Sequence, residues 1–327
     1  MNRIIIAKSN LKKKKVDMLV VLLLVAITFV LFYISGSVIF NLDAVQERVN
    51  EQKNGADVVI LSANPHQEEI ISLLEAQPKV ETVAAEAVLV LYGSSYYRGD
   101  EVSEDSKLDF ILGSIDWEGE LSQLLLTDED NKSVPPDRSQ MKDDAIVLPY
   151  YLKTAEGYQV GDGFTIKMGE QSYSFEVAGF TEAIFFSVPS VVPMFKGYIT
   201  AARMAELRAQ AIGVDGNIYM YTVKAGESIQ QVDDEIKPLL DESIADWQQG
   251  NNMVLEKERM KMGSAIYVYI LMAIVSVFAL MLLIIAVFVI RFSLNNSLEM
   301  NLKNIGMFQA NGYTAGQLSR ITIGEIL

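Results

Sequence analysis

The 327-residue chain is half hydrophobic yet carries a formal net charge of −15, with no cysteine and a single histidine. That pairing is at odds with one uniform soluble domain, and the missing cysteines exclude disulfide staples and the usual zinc ligand sets. The two properties lie in different parts of the chain.

Residues 1–17 hold Arg3, Lys8 and Lys12 to Lys15 against Asp17, a net +5. The 23 residues from Met18 to Phe40 follow without a charge, and as a helix they would cover about 35 Å, enough to cross a bilayer. A basic flank beside a span marks the cytoplasmic side, so residues 1–17 are expected to be cytoplasmic and residues 18–40 to be the first transmembrane helix. The run is longer than the ~7–15 apolar residues of a signal peptide, which favours an uncleaved span. Lys12 to Lys15 are read as lipid headgroup contacts; nothing aromatic is interleaved for base stacking, so no nucleic acid is expected.

Residues 41–260 contain 17 Lys/Arg and 39 Asp/Glu, a net of −22, and are assigned to the extracytoplasmic side. Leu42 to Lys53 is polar and helix-favouring and would extend the first span as a stalk. Asp57–Ser62 reads as a strand, His66–Gln77 as a helix and Val80–Tyr92 as a strand, one β-α-β unit near 57–92. Residues 93–215 form the insert and β-rich middle. Within it Gly93–Asp144 is rich in Asp, Glu, Ser and Gly and is expected to be irregular. Ala145–Glu182 reads as strand, short helix, turn, strand, hairpin and strand, with turns at Gly161-Asp162-Gly163 and Gly169-Glu170. A second unit near 216–256 combines a strand at Gly216–Lys224, a helix at Glu227–Trp247 and a short strand at Met253–Leu255.

Chemistry-bearing motifs are scarce. No GxxxxGK[ST] loop occurs, so ATP hydrolysis through such a loop is not expected of this chain. His66, beside Pro65 at a helix start, reads as a surface histidine, and no catalytic, cofactor or metal residues are assigned. The runs Asp128-Glu129-Asp130 and Asp233-Asp234-Glu235 lack the ligand alternation of a calcium loop and read as solvated acidic faces.

A second apolar run, part of the 29 uncharged residues between Lys261 and Arg291, is the second span, set at 263–291, which returns residues 292–327 to the cytoplasm. There Leu298, Leu302, Ile305 and Phe308 share one helix face. Asn311-Gly312 supplies a helix stop, and Thr314 with Gln317 a capping box for a new helix. The stretch carries few basic residues, which favours docking on a protein over lying in the membrane interface.

The segment Asn304 to Thr314, through Ile305, Gly306, Phe308, Ala310, Gly312 and Thr314, resembles the post-span segment of the FtsX/MacB-like permeases of ABC transporters. Glu325 stands for a later glutamate of that pattern, while Asn304 and Asn311 depart from it. The exported region is similar to the same family at Leu148-Pro149, Ala155, Gly157, Val160-Gly161-Asp162 and Phe175 to Gly179. The resemblance implies an α+β membrane protein, two transmembrane helices flanking an extracytoplasmic α/β porter-like domain with an inserted β-rich subdomain. It implies an ATPase-coupling role for Leu302, Ile305, Gly306, Met307, Phe308, Ala310 and Gly312, docking on a separate ABC ATPase subunit. It further implies a multi-pass permease of the bacterial plasma membrane, paired as a homo- or heterodimer, serving export or mechanical transmission. Ile321–Leu327 reads as the opening of a third span cut short. The competing class is a two-span receptor with an extracytoplasmic sensing domain, which would continue into long cytoplasmic heptads; a membrane-anchored enzyme lacks a recognisable catalytic set.

Overall fold

The computed structural model describes residues 15–98, 108–189, 192–250, 252–310, 314 and 316, and at 15–18, 249, 293, 294 and 296–310 it is the backbone that is described. In chain order the elements are α1 (Lys15–Gln52), β1 (Val58–Ser62), α2 (Gln67–Glu75), β2 (Val80–Leu91), β3 (Ser95–Arg98), β4 (Asp109–Ser114), β5 (Leu126–Thr127) and β6 (Ser133–Val134). They continue with β7 (Ala145–Pro149), α3 (Tyr150–Glu156), β8 (Gly163–Met168), β9 (Gln171–Thr181), β10 (Met194–Ile199), α4 (Ala201–Ala209), β11 (Val214–Val223), α5 (Ile229–Ser243), β12 (Met253–Glu256) and α6 (Lys257–Ala310). Two compact units divide the chain, residues 42–266 and the helical remainder on either side.

One ten-stranded sheet, ordered β12-β1-β11-β2-β4-β10-β7-β9-β8-β3, organises residues 42–266. Its first four strands come from the two expected β-α-β units, which interlock. Strand β11 pairs antiparallel with both β1 and β2 and separates them, while β1 pairs antiparallel with β12 and separates it from β11. This is the split β-α-β arrangement of ferredoxin-like folds. Every residue of β1 is buried, because the sheet is covered on both faces. Val58 and Ile60 pack under α2 and α5 with Ile70, Leu74, Tyr219, Val232 and Ile236. Val59 and Leu61 face the other way, onto Val88, Val90, Ile218, Met220 and Phe186. That two-sided burial is why the strand reads as an unbroken apolar run.

Apart from the two-stranded ladder of β5 and β6 (Leu126↔Val134, Thr127↔Ser133), the strands of the insert join the main sheet. The far half of β2 pairs with β4 (Leu89↔Leu112, Val90↔Ile111, Leu91↔Phe110), so the inserted strands prolong the same sheet. Here the structure corrects the expectation of irregular chain over Gly93–Asp144: β4 is a central strand whose Phe110, Ile111 and Leu112 are fully buried. An aromatic cluster anchors this half, with Phe110 5.5 Å from Phe164 and Tyr96 5.6 Å from each of them; such pairs add roughly 0.5–1.5 kcal/mol beyond their burial. The strand, helix, strand, hairpin and strand expected over Ala145–Glu182 are β7, α3, β8 and β9. Helix α3 stops at Gly157, whose φ of 73° is the left-handed cap that glycine adopts without strain.

In the helical unit, α1 and α6 contain the two stretches long and apolar enough to cross a membrane. Among the described residues of this unit the buried positions are small and seven apart, Thr28 and Ser35 in α1, Ala279 and Ala286 in α6. The Ser35 hydroxyl donates to the Met272 carbonyl at 3.5 Å. Bulky apolar residues point outward instead, Phe29 at 68% and Phe40 at 85% exposure. Small residues inside with large apolar ones outside is the packing of helices solvated by lipid. Two long apolar helices thus flank a mixed α/β domain.

Candidate functional site

The residues singled out for ATPase coupling fall at the far end of α6. Leu302, Ile305, Gly306, Met307, Phe308 and Ala310 lie on its last turns; Gly312, the expected stop at Asn311-Gly312, Gln317 and Ile321–Leu327 lie outside the described residues. What the structure adds is continuity. Helix α6 runs 54 residues from Lys257 to Ala310, about 80 Å at ~1.5 Å per residue, with no break between the apolar stretch and the polar segment.

At the other end of α6 there is no loop either: β12 ends at Glu256 and the helix begins at Lys257. Helix α1 reaches β1 through five residues, 53–57. The junction is tied by charge. Lys257 Nζ lies 2.8 Å from Asp57 Oδ1 and 3.1 Å from Glu47 Oε1, and Lys261 Nζ lies 3.0 Å from Glu47 Oε2 and 2.6 Å from Asp43 Oδ1. The Glu47 carboxylate therefore bridges two largely buried ammonium groups. The Gln46 amide donates to Ser264 Oγ at 2.9 Å, and the Lys257 amide to the Asp57 carbonyl at 2.8 Å. Asp57 in turn accepts from the Val223 amide at 2.9 Å. The base of both helices and strands β1, β11 and β12 form one network, in which partly buried charges are held by several partners each.

Beside this junction a cavity of about 40 Å³ opens under the sheet. Its wall includes Val49, Asn50 and Lys53 from the α1 end, Phe185 and Phe186 from the segment before β10, Lys196 and Tyr198 from β10, and Ile218 and Met220 from β11. The two lysines differ. Lys196 Nζ meets the buried Glu86 carboxylate directly, in a niche that Gly113 leaves open: a Cβ there would fall 2.3 Å from Glu86 Oε1. Burial pulls the Lys196 ammonium down, but Glu86 more than offsets it, and its pKa lies above the usual lysine value.

Lys53 is as buried but has no carboxylate within ion-pair distance among the described residues; its Nζ donates to Thr181 Oγ1. Burial, only partly countered by the field of Glu182, pushes its pKa down to about 7. Below that pH the ammonium is carried in both folded and unfolded chains and its burial opposes folding. Between about pH 7 and 10.5 the unfolded chain alone holds the proton, so stability rises with pH through that window. Denaturation of the wild type against Lys53→Met across the window is expected to show that slope in the wild type alone.

No protein-family model matches the chain, and no curated protein matches it. Among solved structures it is similar to the periplasmic region of MacB from Actinobacillus actinomycetemcomitans. That match has 12% identity and a TM-score of 0.30, covering 65% of this chain and 94% of that one. It is also similar to a domain of a putative permease protein from Porphyromonas gingivalis, with 12% identity and a TM-score of 0.33 over 62% of this chain and 90% of that one.

Two further sequence readings meet the structure here. His66 is at the start of α2, its Nδ1 3.1 Å from Glu69 Oε1, a surface pair. The run at Asp233 is not wholly solvated: Asp233 is buried, accepts from the Tyr221 hydroxyl at 3.1 Å and lies 2.6 Å from Lys237 Nζ. Tyr221 meets it from the core and Lys237 from one turn along α5, an arrangement that a charge run read by itself does not reveal. The cavity lysines gave no local signal either, since Lys53 ends a polar stretch and the partner of Lys196 is 110 residues away.

Proposed function

We propose that this chain is a permease component of an ABC-type transporter, without ATP hydrolysis of its own. A separate ATPase subunit docks on the α6 end around Leu302, Ile305, Gly306, Met307, Phe308, Ala310 and Gly312. Its cycle moves α6 and, through the junction, the sheet domain, for export or mechanical transmission across a bacterial plasma membrane. In this reading residues 1–17 are cytoplasmic, residues 41–260 extracytoplasmic, and two permease units pair in the membrane.

The observation that carries the proposal is the uninterrupted path from the resemblance-bearing residues, through the apolar stretch, into β12. A loop at either end of α6 would absorb motion; a helix joined directly to a strand and clamped by Glu47 hands it on. The test is co-purification of the full-length protein with the ATPase encoded beside it. Ile305→Asp and Phe308→Asp are expected to abolish the association while the protein still reaches the membrane. Undiminished binding in both variants would overturn the docking assignment.

A further inference from the structure

We propose that the cavity beneath the sheet is a binding site for a short amphipathic carboxylate, with the acid on Lys53 and the hydrocarbon against Phe185, Phe186 and Met220. The inference rests on the cavity alone and is independent of the permease reading.

Three observations point there. First, Lys53 is a buried amine at the cavity wall with no carboxylate in contact among the described residues, whereas Lys196 on the same wall is already neutralised by Glu86. An isolated buried ammonium is costly, and an incoming anion removes that cost. Second, the lining is mixed: Lys53, Asn50 and Tyr198 bring polar groups, and Val49, Phe185, Phe186 and Met220 bring aromatic and aliphatic surface. A bare inorganic anion satisfies only the first half, while a short monocarboxylic acid satisfies both. At about 40 Å³ the space admits roughly three water molecules or an acid of a few carbons, and exposed Gln123 stands at its rim.

Third, the backbone is shaped around it. Phe186 and Ser122, both on the wall, have φ of 56° and 54°, a conformation a bulky aromatic rarely adopts and one that surrounding structure must enforce. Gly55 completes the cradle, since a Cβ at that position would lie 1.9 Å from Asn50 Oδ1. The remaining charged groups that bear on Lys53 are Glu182, which favours its protonated form, and Lys196, which opposes it.

The test is calorimetric titration of sodium propionate into the full chain in detergent, with inorganic phosphate as the comparison anion. One propionate site is expected, its affinity falling about tenfold per pH unit above pH 7 as Lys53 loses its proton. Lys53→Met is expected to weaken it at least tenfold without lowering the melting temperature of the unliganded protein. The pH profile of the wild type decides the matter even if the variant fails to fold. Absent propionate binding, pH-independent binding, equal affinity in Lys53→Met, or phosphate binding as tightly as propionate would each overturn the proposal.

Discussion

The helical unit and the sheet domain are built by opposite rules. In the sheet domain the largest side chains are the most hidden, Tyr219, Tyr221, Phe110 and Phe164 among them; in the helical unit Ala279 and Ala286 are hidden and Phe29 and Phe40 face outward. Each side chain sits where its surroundings leave it at lowest free energy, and the inversion is the one that water around one unit and hydrocarbon around the other would produce. Side-chain size at buried positions is thus a signature of lipid surroundings that is separate from hydropathy.

The contrast can be broken most forcefully in the sheet core. Phe110→Ala is expected to cost about 3–5 kcal/mol, while the same truncation at outward-facing Phe29 should stay within about 0.5 kcal/mol. Both of the chain's tryptophans, Trp117 and Trp247, lie in residues 42–266, so their fluorescence during urea unfolding of the full chain reads the sheet domain. Glu86→Gln comes next. Removing the counter-charge of buried Lys196 is expected to cost about 3 kcal/mol or more.

In the helical unit the damaging change is enlargement. Ala279→Leu should cost about 1–3 kcal/mol by overpacking. Because the chain has no cysteine, Ser35→Cys with Met272→Cys gives a clean cross-link between the helices, which Ala279→Leu is expected to slow. At the small end, Arg208→Ala removes an exposed pair with Asp215 at 2.8 Å and should shift the unfolding midpoint by no more than about 1 kcal/mol.

Where structure was legible in the sequence follows from the same contrast. The spans and the β-α-β units are written in local periodicity, and Val58–Ser62, Gln67–Glu75 and Val80–Leu91 fall almost where the pattern places them. Strand β4 hides because Phe110-Ile111-Leu112 is only three apolar residues long, flanked by Asp109 and Gly113. Strand β10 contains Lys196 and Gly197, residues that argue against a buried strand until Glu86 is known to face the lysine. The cavity is assembled from five separate segments of the chain, and no local pattern encodes such a meeting. The sequence places the second span at 263–291 and a polar helix through Leu298 to Phe308; that the two are one helix, α6, is plain only in the backbone, where no proline interrupts residues 291–310 and Gly306 is carried within the helix.

The neighbouring positions of β1 and β12 have one more consequence. The chain enters the sheet domain on β1 and leaves on β12, and these strands are hydrogen-bonded to each other from Val58↔Glu256 to Leu61↔Met253. Everything between them is therefore a cassette with adjacent ends, the arrangement that tolerates insertion and exchange. A different module grafted between Leu61 and Met253 would leave both helices and their charged clamp as they are. Exchange of the sheet domain would then leave the two long helices, and the ion pairs at their base, unaltered.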